Sequence, residues 1–69
     1  MASLSPQEYK RLSLVCDACC YQSLSQAFAA DAMLHLELGD AGLAVLAQAR
    51  AAKYYALAWS ALERAFAMQ

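Results

Sequence analysis

The amino-acid sequence predicts an all-α protein, a two-helix antiparallel hairpin. Residues 7–38 contain no glycine or proline, and neither do residues 43–69. Gly39 and Asp40 lie between these stretches. Glycine commonly ends a helix, and aspartate commonly caps the start of the next one. We therefore expect one helix at about 6–38, a turn at 39–40 and a second helix at about 41–68, within a single domain of residues 1–69.

The first helix has a specific start signal at Ser5-Pro6-Gln7-Glu8. A serine can accept a hydrogen bond from a free backbone N–H of the first turn, proline fits the first helical position, and the acid three residues after the serine completes a capping box. A polar segment of weaker helix formers follows around Ser23–Ser25. A kink or break there would give three helices, which is the alternative to the hairpin.

The second helix is rich in alanine, and this predicts close packing. In an antiparallel hairpin that turns at 39–40, Trp59 would lie at the height of Tyr21, and Ala51 at the height of Ala29. Small side chains would then face each other over much of the length. The helix axes could approach toward the short end of the usual range of roughly 8–10 Å.

Each helix carries two apolar stripes rather than one when its residues are projected at the helical period. We expect the small-residue stripe of the second helix to pack on the cysteine–alanine stripe of the first, which leaves the other stripes for a second chain. On helix one the stripes are Leu12, Cys16, Cys19, Cys20, Ala27, Ala30, Leu34 and Leu38, and, nearly opposite, Leu14, Ala18, Tyr21, Phe28, Ala32 and Leu36. On helix two they are Leu43, Ala47, Ala51, Tyr54, Ala58, Ala61 and Ala65, and beside it Tyr55, Trp59, Leu62 and Phe66.

Size and composition indicate that this hairpin associates. Of its 69 residues 62% are hydrophobic, against a usual share of roughly 45–50%. A domain this small buries only about 60% of the surface that its unfolded chain exposes. Polar residues such as Gln48, Arg50 and Lys53 interrupt the most apolar stretch, so the run of around 20 apolar residues expected of a membrane span is missing. Self-association and a protein partner are the expected ways to cover the remaining apolar surface.

Charge and cysteine usage exclude further classes of protein. The net charge is −1 and 16% of residues are charged, so the chain lacks the basic field that holds nucleic-acid phosphates. The start of the chain lacks the cationic and apolar segments of a signal peptide. The odd number of cysteines, three, argues against a disulfide framework. Together these features predict a cytoplasmic protein.

The sequence feature that most strongly suggests a chemical function is the cysteine cluster Cys16-Asp17-Ala18-Cys19-Cys20. On a helix, Cys16, Cys19 and Cys20 share one side, and their sulfurs could bind a soft metal ion such as Cu(I) or Zn(II). Cysteine is also a small hydrophobic residue suited to a tight helix–helix contact. Packing is the favoured interpretation, and a thiol-based metal site is the alternative.

No arrangement of residues predicts catalysis or a resident cofactor, so we do not expect an enzyme. The functional hypothesis is a small helical protein–protein interaction module that dimerises, as a four-helix bundle, and acts as regulator, inhibitor, chaperone or adaptor of a partner protein. A minor subunit of a larger complex is a further alternative. Because Trp and Tyr dominate binding hot spots, the expected interface residues are Tyr55, Trp59, Leu62 and Phe66, with Tyr21 and Phe28 on the first helix.

Overall fold

The computed structural model describes residues 3–68 and contains two α-helices packed side by side. Helix α1 is Pro6–Glu37 and helix α2 is Ala41–Ala67. They run antiparallel and form a hairpin of 56 × 23 × 11 Å. The all-α hairpin predicted from the sequence is confirmed, and each helix ends one residue earlier than expected.

Helix α1 is continuous from its cap to the turn. The Ser5 hydroxyl accepts a hydrogen bond from the Glu8 amide at 3.2 Å, and Pro6 occupies the first turn. The helix passes through the polar segment around Ser23–Ser25 without a break, so the three-helix alternative is wrong. The buried Ser25 hydroxyl donates to the Ala51 carbonyl of α2 at 2.8 Å. A serine that could have weakened the helix therefore ties it to its neighbour.

The turn between the helices satisfies the groups that the helix ends leave free. Gly39 has a φ of 80°, a left-handed conformation that other residues rarely adopt. Its amide donates to the Leu36 carbonyl at 3.1 Å, and the Asp40 amide donates to the His35 carbonyl at 2.8 Å. This pair of bonds is the Schellman motif. The Asp40 carboxylate then accepts from the Leu43 amide at 3.1 Å and caps α2.

The contact between the helices is a seam of small side chains. Along the described chain, the buried residues are eight alanines and one serine. Those of α1 recur every seventh residue, and those of α2 recur in steps of three, four and seven, which is the spacing of a coiled-coil contact. They are Ala18, Ser25 and Ala32 on α1, and Ala44, Ala47, Ala51, Ala58, Ala61 and Ala65 on α2. The predicted small-residue stripe of α2 is thus the buried one, except that Leu43 at its end is 45% exposed.

The face of α1 that packs against α2 is not the expected one. Cys16, Cys19 and Cys20 are all exposed, so the predicted packing of the cysteine–alanine stripe into the hairpin is wrong. The opposite stripe, from Leu14 to Ala32, is turned toward α2 instead, while Leu36 at its end stays exposed. This stripe carries Tyr21 and Phe28, and burying part of a large ring removes more apolar surface from water than burying a thiol.

The open end of the hairpin is closed by a side chain. The Gln7 amide nitrogen donates to the Met68 carbonyl at 2.9 Å, across the ends of the two helices. Together with the Ser25 bond and the capped turn, this contact sets the register along the length. Facing residues lie close to the expected heights, although Tyr21 meets Tyr54 rather than Trp59.

Candidate interaction surface

One edge of the seam is closed by a stack of three aromatic rings. The Tyr54 ring of α2 lies between Tyr21 and Phe28 of α1, with centroid distances of 6.1 and 5.6 Å. The Arg50 guanidinium lies 5.8 Å from the Phe28 centroid, and the Lys53 ammonium lies 5.8 Å from that of Tyr54. Tyr21 and Phe28, predicted to bind another chain, are therefore half-buried in contacts within their own chain. Within the hairpin they close one edge of the seam.

The predicted interface residues of α2 lie outside the seam. Tyr55, Trp59 and Phe66 are 56%, 50% and 62% exposed, and Leu62 is half-buried. Tyr55 and Trp59 meet edge to face, with centroids 6.4 Å apart and planes at 70°. Such a contact favours this relative orientation of the two rings.

A shallow groove runs beside these aromatic side chains. It has a volume of about 240 Å³ and is lined by Gln22 of α1 and by Tyr55, Ala58, Trp59 and Leu62 of α2. Gln22 therefore lies on the same side of the hairpin as the aromatic residues. Side chains three, four and seven residues apart share a helix face. The other residues on this side of the hairpin can therefore be identified by counting along each helix from the residues that line the groove.

We call this surface the neutral face. On each helix its members are separated by alternate steps of three and four residues, and none is Asp, Glu, Lys, Arg or His. All are exposed except the half-buried Leu62. They are Leu12, Val15, Cys19, Gln22, Gln26, Ala29, Met33 and Leu36 on α1, and Ala41, Val45, Gln48, Ala52, Tyr55, Trp59, Leu62 and Phe66 on α2.

The opposite side of the hairpin, which we call the charged face, has a different character. It borders the aromatic stack and carries six exposed charged residues, together with exposed leucines such as Leu24 and Leu57. The charged members are Lys10, Asp17, Asp31, Arg50, Lys53 and Arg64. A surface of this kind is stable in water, whereas a long apolar face without charges is typical of a site that another protein covers.

The polar candidates do not form a metal-binding group within the described residues. No cluster of three His, Cys, Asp or Glu side chains in residues 3–68 is arranged to hold a metal ion. The three thiols are all exposed, and only Cys19 belongs to the neutral face. His35 and Asp31 lie one turn apart on α1, with Nε2 and Oδ2 3.4 Å apart. This is a partly exposed contact within one helix.

Sequence reasoning found the aromatic half of the neutral face and missed the half that α1 supplies. Val15 and Met33 were assigned to neither apolar stripe of α1, and Gln22 was not among the expected interface residues. The available signal was the unbroken alternation of three and four residues from Leu12 to Leu36. It was obscured because α1 carries two other repeats with similar spacing, one of them in the seam.

Comparisons with known proteins add no assignment to this surface. No protein-family model matches the chain, and neither the curated proteins nor the solved structures contain a significant match. Neither of the described helices combines the length and the apolar character needed to cross a membrane. The interpretation of the neutral face therefore depends on its physical properties.

Proposed function

We propose that this chain is a protein–protein interaction module that dimerises through its neutral face into a four-helix bundle. In that form it acts on a partner protein as regulator, inhibitor, chaperone or adaptor. The observation that supports this proposal is the neutral face itself, an exposed row of apolar and uncharged polar side chains along two long helices, with Glu8, Glu37 and Glu63 at its margins. A second copy brings the same uncharged surface, so no unpaired charge is buried when the two meet.

The accessible area of the single chain supports association. The hairpin exposes 5210 Å², whereas a compact monomer of 7.5 kDa exposes about 4,200 Å². The difference of about 1,000 Å² is close to the roughly 800 Å² that each partner contributes to a standard protein interface. Covering the neutral face would bring the chain to the exposure of an ordinary folded domain.

The composition of the seam supports the same conclusion. An alanine side chain buries little area, and no large side chain of the described residues is fully buried. At roughly 25 cal/mol per Å² of apolar surface, alanines alone give a short chain a weak core. The large apolar side chains that would strengthen it, such as Trp59, Phe66 and Met33, are on the surface of the isolated hairpin. Dimerisation turns them into the core of a bundle.

A dimer formed in this way leaves the charged face on the outside. Arg50, Lys53 and Arg64 then surround exposed leucines such as Leu57 on a surface that remains free for a partner. This separates a face for self-association from a face for regulation. The thiol-based metal site is not proposed, because the described residues do not bring the sulfurs together.

The test is the solution mass of the purified chain and of a Trp59→Ala variant. We expect a dimer at micromolar concentration by sedimentation equilibrium. The variant should dissociate more readily, by about 2–4 kcal/mol, because Trp59 is a large aromatic anchor near the middle of α2. A Leu57→Ala variant is the matched control, since Leu57 lies on the charged face and should leave the dimer unchanged. A wild-type chain that remains monomeric at high micromolar concentration overturns the proposal.

A further inference from the structure

We propose that the second copy packs in one particular arrangement, with a two-fold axis that lies in the interface and crosses the helices at right angles at mid-length. In this arrangement α1 lies antiparallel on α1 of the second copy, and α2 lies antiparallel on α2. The inference rests on the proposed dimerisation through the neutral face and specifies how the two faces meet. It follows from the order of side chains along each helix.

The neutral face of α1 is a palindrome centred on Leu24. Moving outward from that residue in both directions, Gln22 corresponds to Gln26 and Cys19 corresponds to Ala29. Further out, Val15 corresponds to Met33, and Leu12 to Leu36. An axis at Leu24 would therefore place polar residues on polar residues, small residues on small residues and large apolar residues on large apolar residues. In an isologous contact each of these pairs occurs twice, once on either side of the axis.

The neutral face of α2 has a complementary pattern about a centre between Lys53 and Tyr54. The half toward the C-terminus is bulky and the half toward the turn is small. An axis at that centre pairs each bulky residue with a smaller one, which allows the two surfaces to interdigitate at native packing density. The pairs are Tyr55 with Ala52, Trp59 with Gln48, Leu62 with Val45, and Phe66 with Ala41.

The two centres lie at the same height in the hairpin. The Ser25 hydroxyl is bonded to the Ala51 carbonyl at 2.8 Å, and Phe28 lies between Arg50 and Tyr54. Leu24 on α1 is therefore level with the Lys53–Tyr54 peptide on α2. A single axis therefore serves both helices. The matched side chains on either side of each centre are the observation that carries the inference.

The same arrangement gives the polar side chains of the neutral face a partner. Gln22 of one copy meets Gln26 of the other, so each primary amide can donate to and accept from another. The indole N–H of Trp59 meets the side chain of Gln48, whose oxygen can accept its hydrogen bond. Buried polar groups need such partners, and the three glutamines on this face are positioned to supply or receive them.

The competing arrangement has its two-fold axis parallel to the helices and places α1 on α2 of the second copy. Residues at equal heights would then meet, so Leu12 and Val15 would lie near Phe66 and Leu62. Bulky side chains would gather at the open end, while alanines such as Ala41 gathered at the turn end. That distribution leaves one end overfilled and the other loosely filled, and both defects destabilise a core.

Disulfide cross-linking distinguishes the arrangements in the full chain. We would substitute Cys16→Ser and Cys20→Ser, retain Cys19, and add Ala29→Cys. The two sulfurs lie ten residues apart on one helix, about 15 Å, too far for an intrachain bond. Copper phenanthroline, which accepts the two electrons as two thiols lose their protons, should convert most of this variant to covalent dimer on a non-reducing gel. The chain with Cys19 alone should give at least five-fold less.

A cysteine-free chain, in which Cys16, Cys19 and Cys20 are serine, would carry Gln26→Cys and Ala52→Cys as the second test variant. These positions face each other only in the competing arrangement. Cross-linking of this variant in place of the Cys19 and Ala29→Cys variant overturns the inference while leaving dimerisation intact. A dimer by sedimentation in which neither variant cross-links does the same. A monomer by sedimentation overturns both the arrangement and the proposed function.

Discussion

The seam and the neutral face are two surfaces of the same helices with the same kind of repeat and opposite outcomes. The neutral face follows steps of three and four residues along both helices, and the buried residues of the seam follow steps of three, four and seven. The seam is filled with alanine and Ser25 and is closed within one chain, whereas the neutral face carries Tyr55, Trp59 and Phe66 and is exposed. Side-chain size separates them, since small residues let two helices of one chain approach and large ones are left for a broader contact.

The difference separates the surface that folds the hairpin from the surface that the proposed dimer would bury. The alanine seam shapes the hairpin, and the aromatic stack of Tyr21, Tyr54 and Phe28 closes one edge of it. The hairpin then presents an organised apolar surface rather than a collection of scattered side chains. Changes to each surface should therefore affect different measurements, namely the folding of the hairpin and the association of two hairpins.

The largest effect is expected from Ala52→Glu, which places a carboxylate in the middle of the neutral face. Each dimer would bury two such charges without partners, at a cost of about 3–5 kcal/mol. We expect the variant to be monomeric by sedimentation at concentrations where the wild type is dimeric. Ala27→Glu is the matched control, because Ala27 is exposed on the side of α1 away from the neutral face. Equal dissociation of both variants would refute the distinction between the faces.

A smaller effect is expected from Ala61→Leu in the seam. Ala61 is fully buried at 0% exposure, so a larger side chain would force the helices apart at a cost of about 1–3 kcal/mol. The free energy of unfolding, measured by urea denaturation, should fall by that amount. Ala27→Leu makes the same substitution at an exposed site and should change stability by less than about 0.5 kcal/mol. A seam variant as stable as this control would show that close approach is not required.

The smallest effect is expected from Ser25→Ala, which removes the hydrogen bond to the Ala51 carbonyl. A bond of this kind contributes about 0.5–1.5 kcal/mol, partly offset by the better helix propensity of alanine. Ser23→Ala has the same propensity gain at an exposed position and is the control. The difference in unfolding free energy between the two variants isolates the bond. If Ser25→Ala is as stable as Ser23→Ala, the hydroxyl has no part in setting the register.

Local signals made the elements of the fold predictable. Ser5, Pro6 and Glu8 mark the start of α1, and Gly39 and Asp40 mark the turn, because the bonds that cap helices depend on residues close in sequence. The polar segment around Ser25 suggested a break in α1 because its residues have a weak helix propensity. The contact that overrides this weakness comes from Ala51, a residue far away in the sequence and close only after the chain has turned.

The choice of face on α1 could not be predicted in the same way. The cysteine stripe and the Leu14–Ala32 stripe are both apolar and both recur at the helical period. What separates them is the position of the Tyr54 ring, which meets Tyr21 and Phe28 at once when the helices have the observed register. This contact depends on the axial position and the rotation of one helix relative to the other. The periodicity of a single helix determines neither quantity.

By itself, the sequence determined two helices, the turn between them, the alanine stripe of α2 and the aromatic group of Tyr55, Trp59, Leu62 and Phe66. Only the tertiary structure decided that α1 turns its aromatic side to the seam and exposes its cysteines, and that Gln22 lies beside Trp59 on one neutral face. The physical reason is that helix boundaries follow from hydrogen bonds between near neighbours. The partner of each helix face follows from which side chains fit together once distant parts of the chain meet.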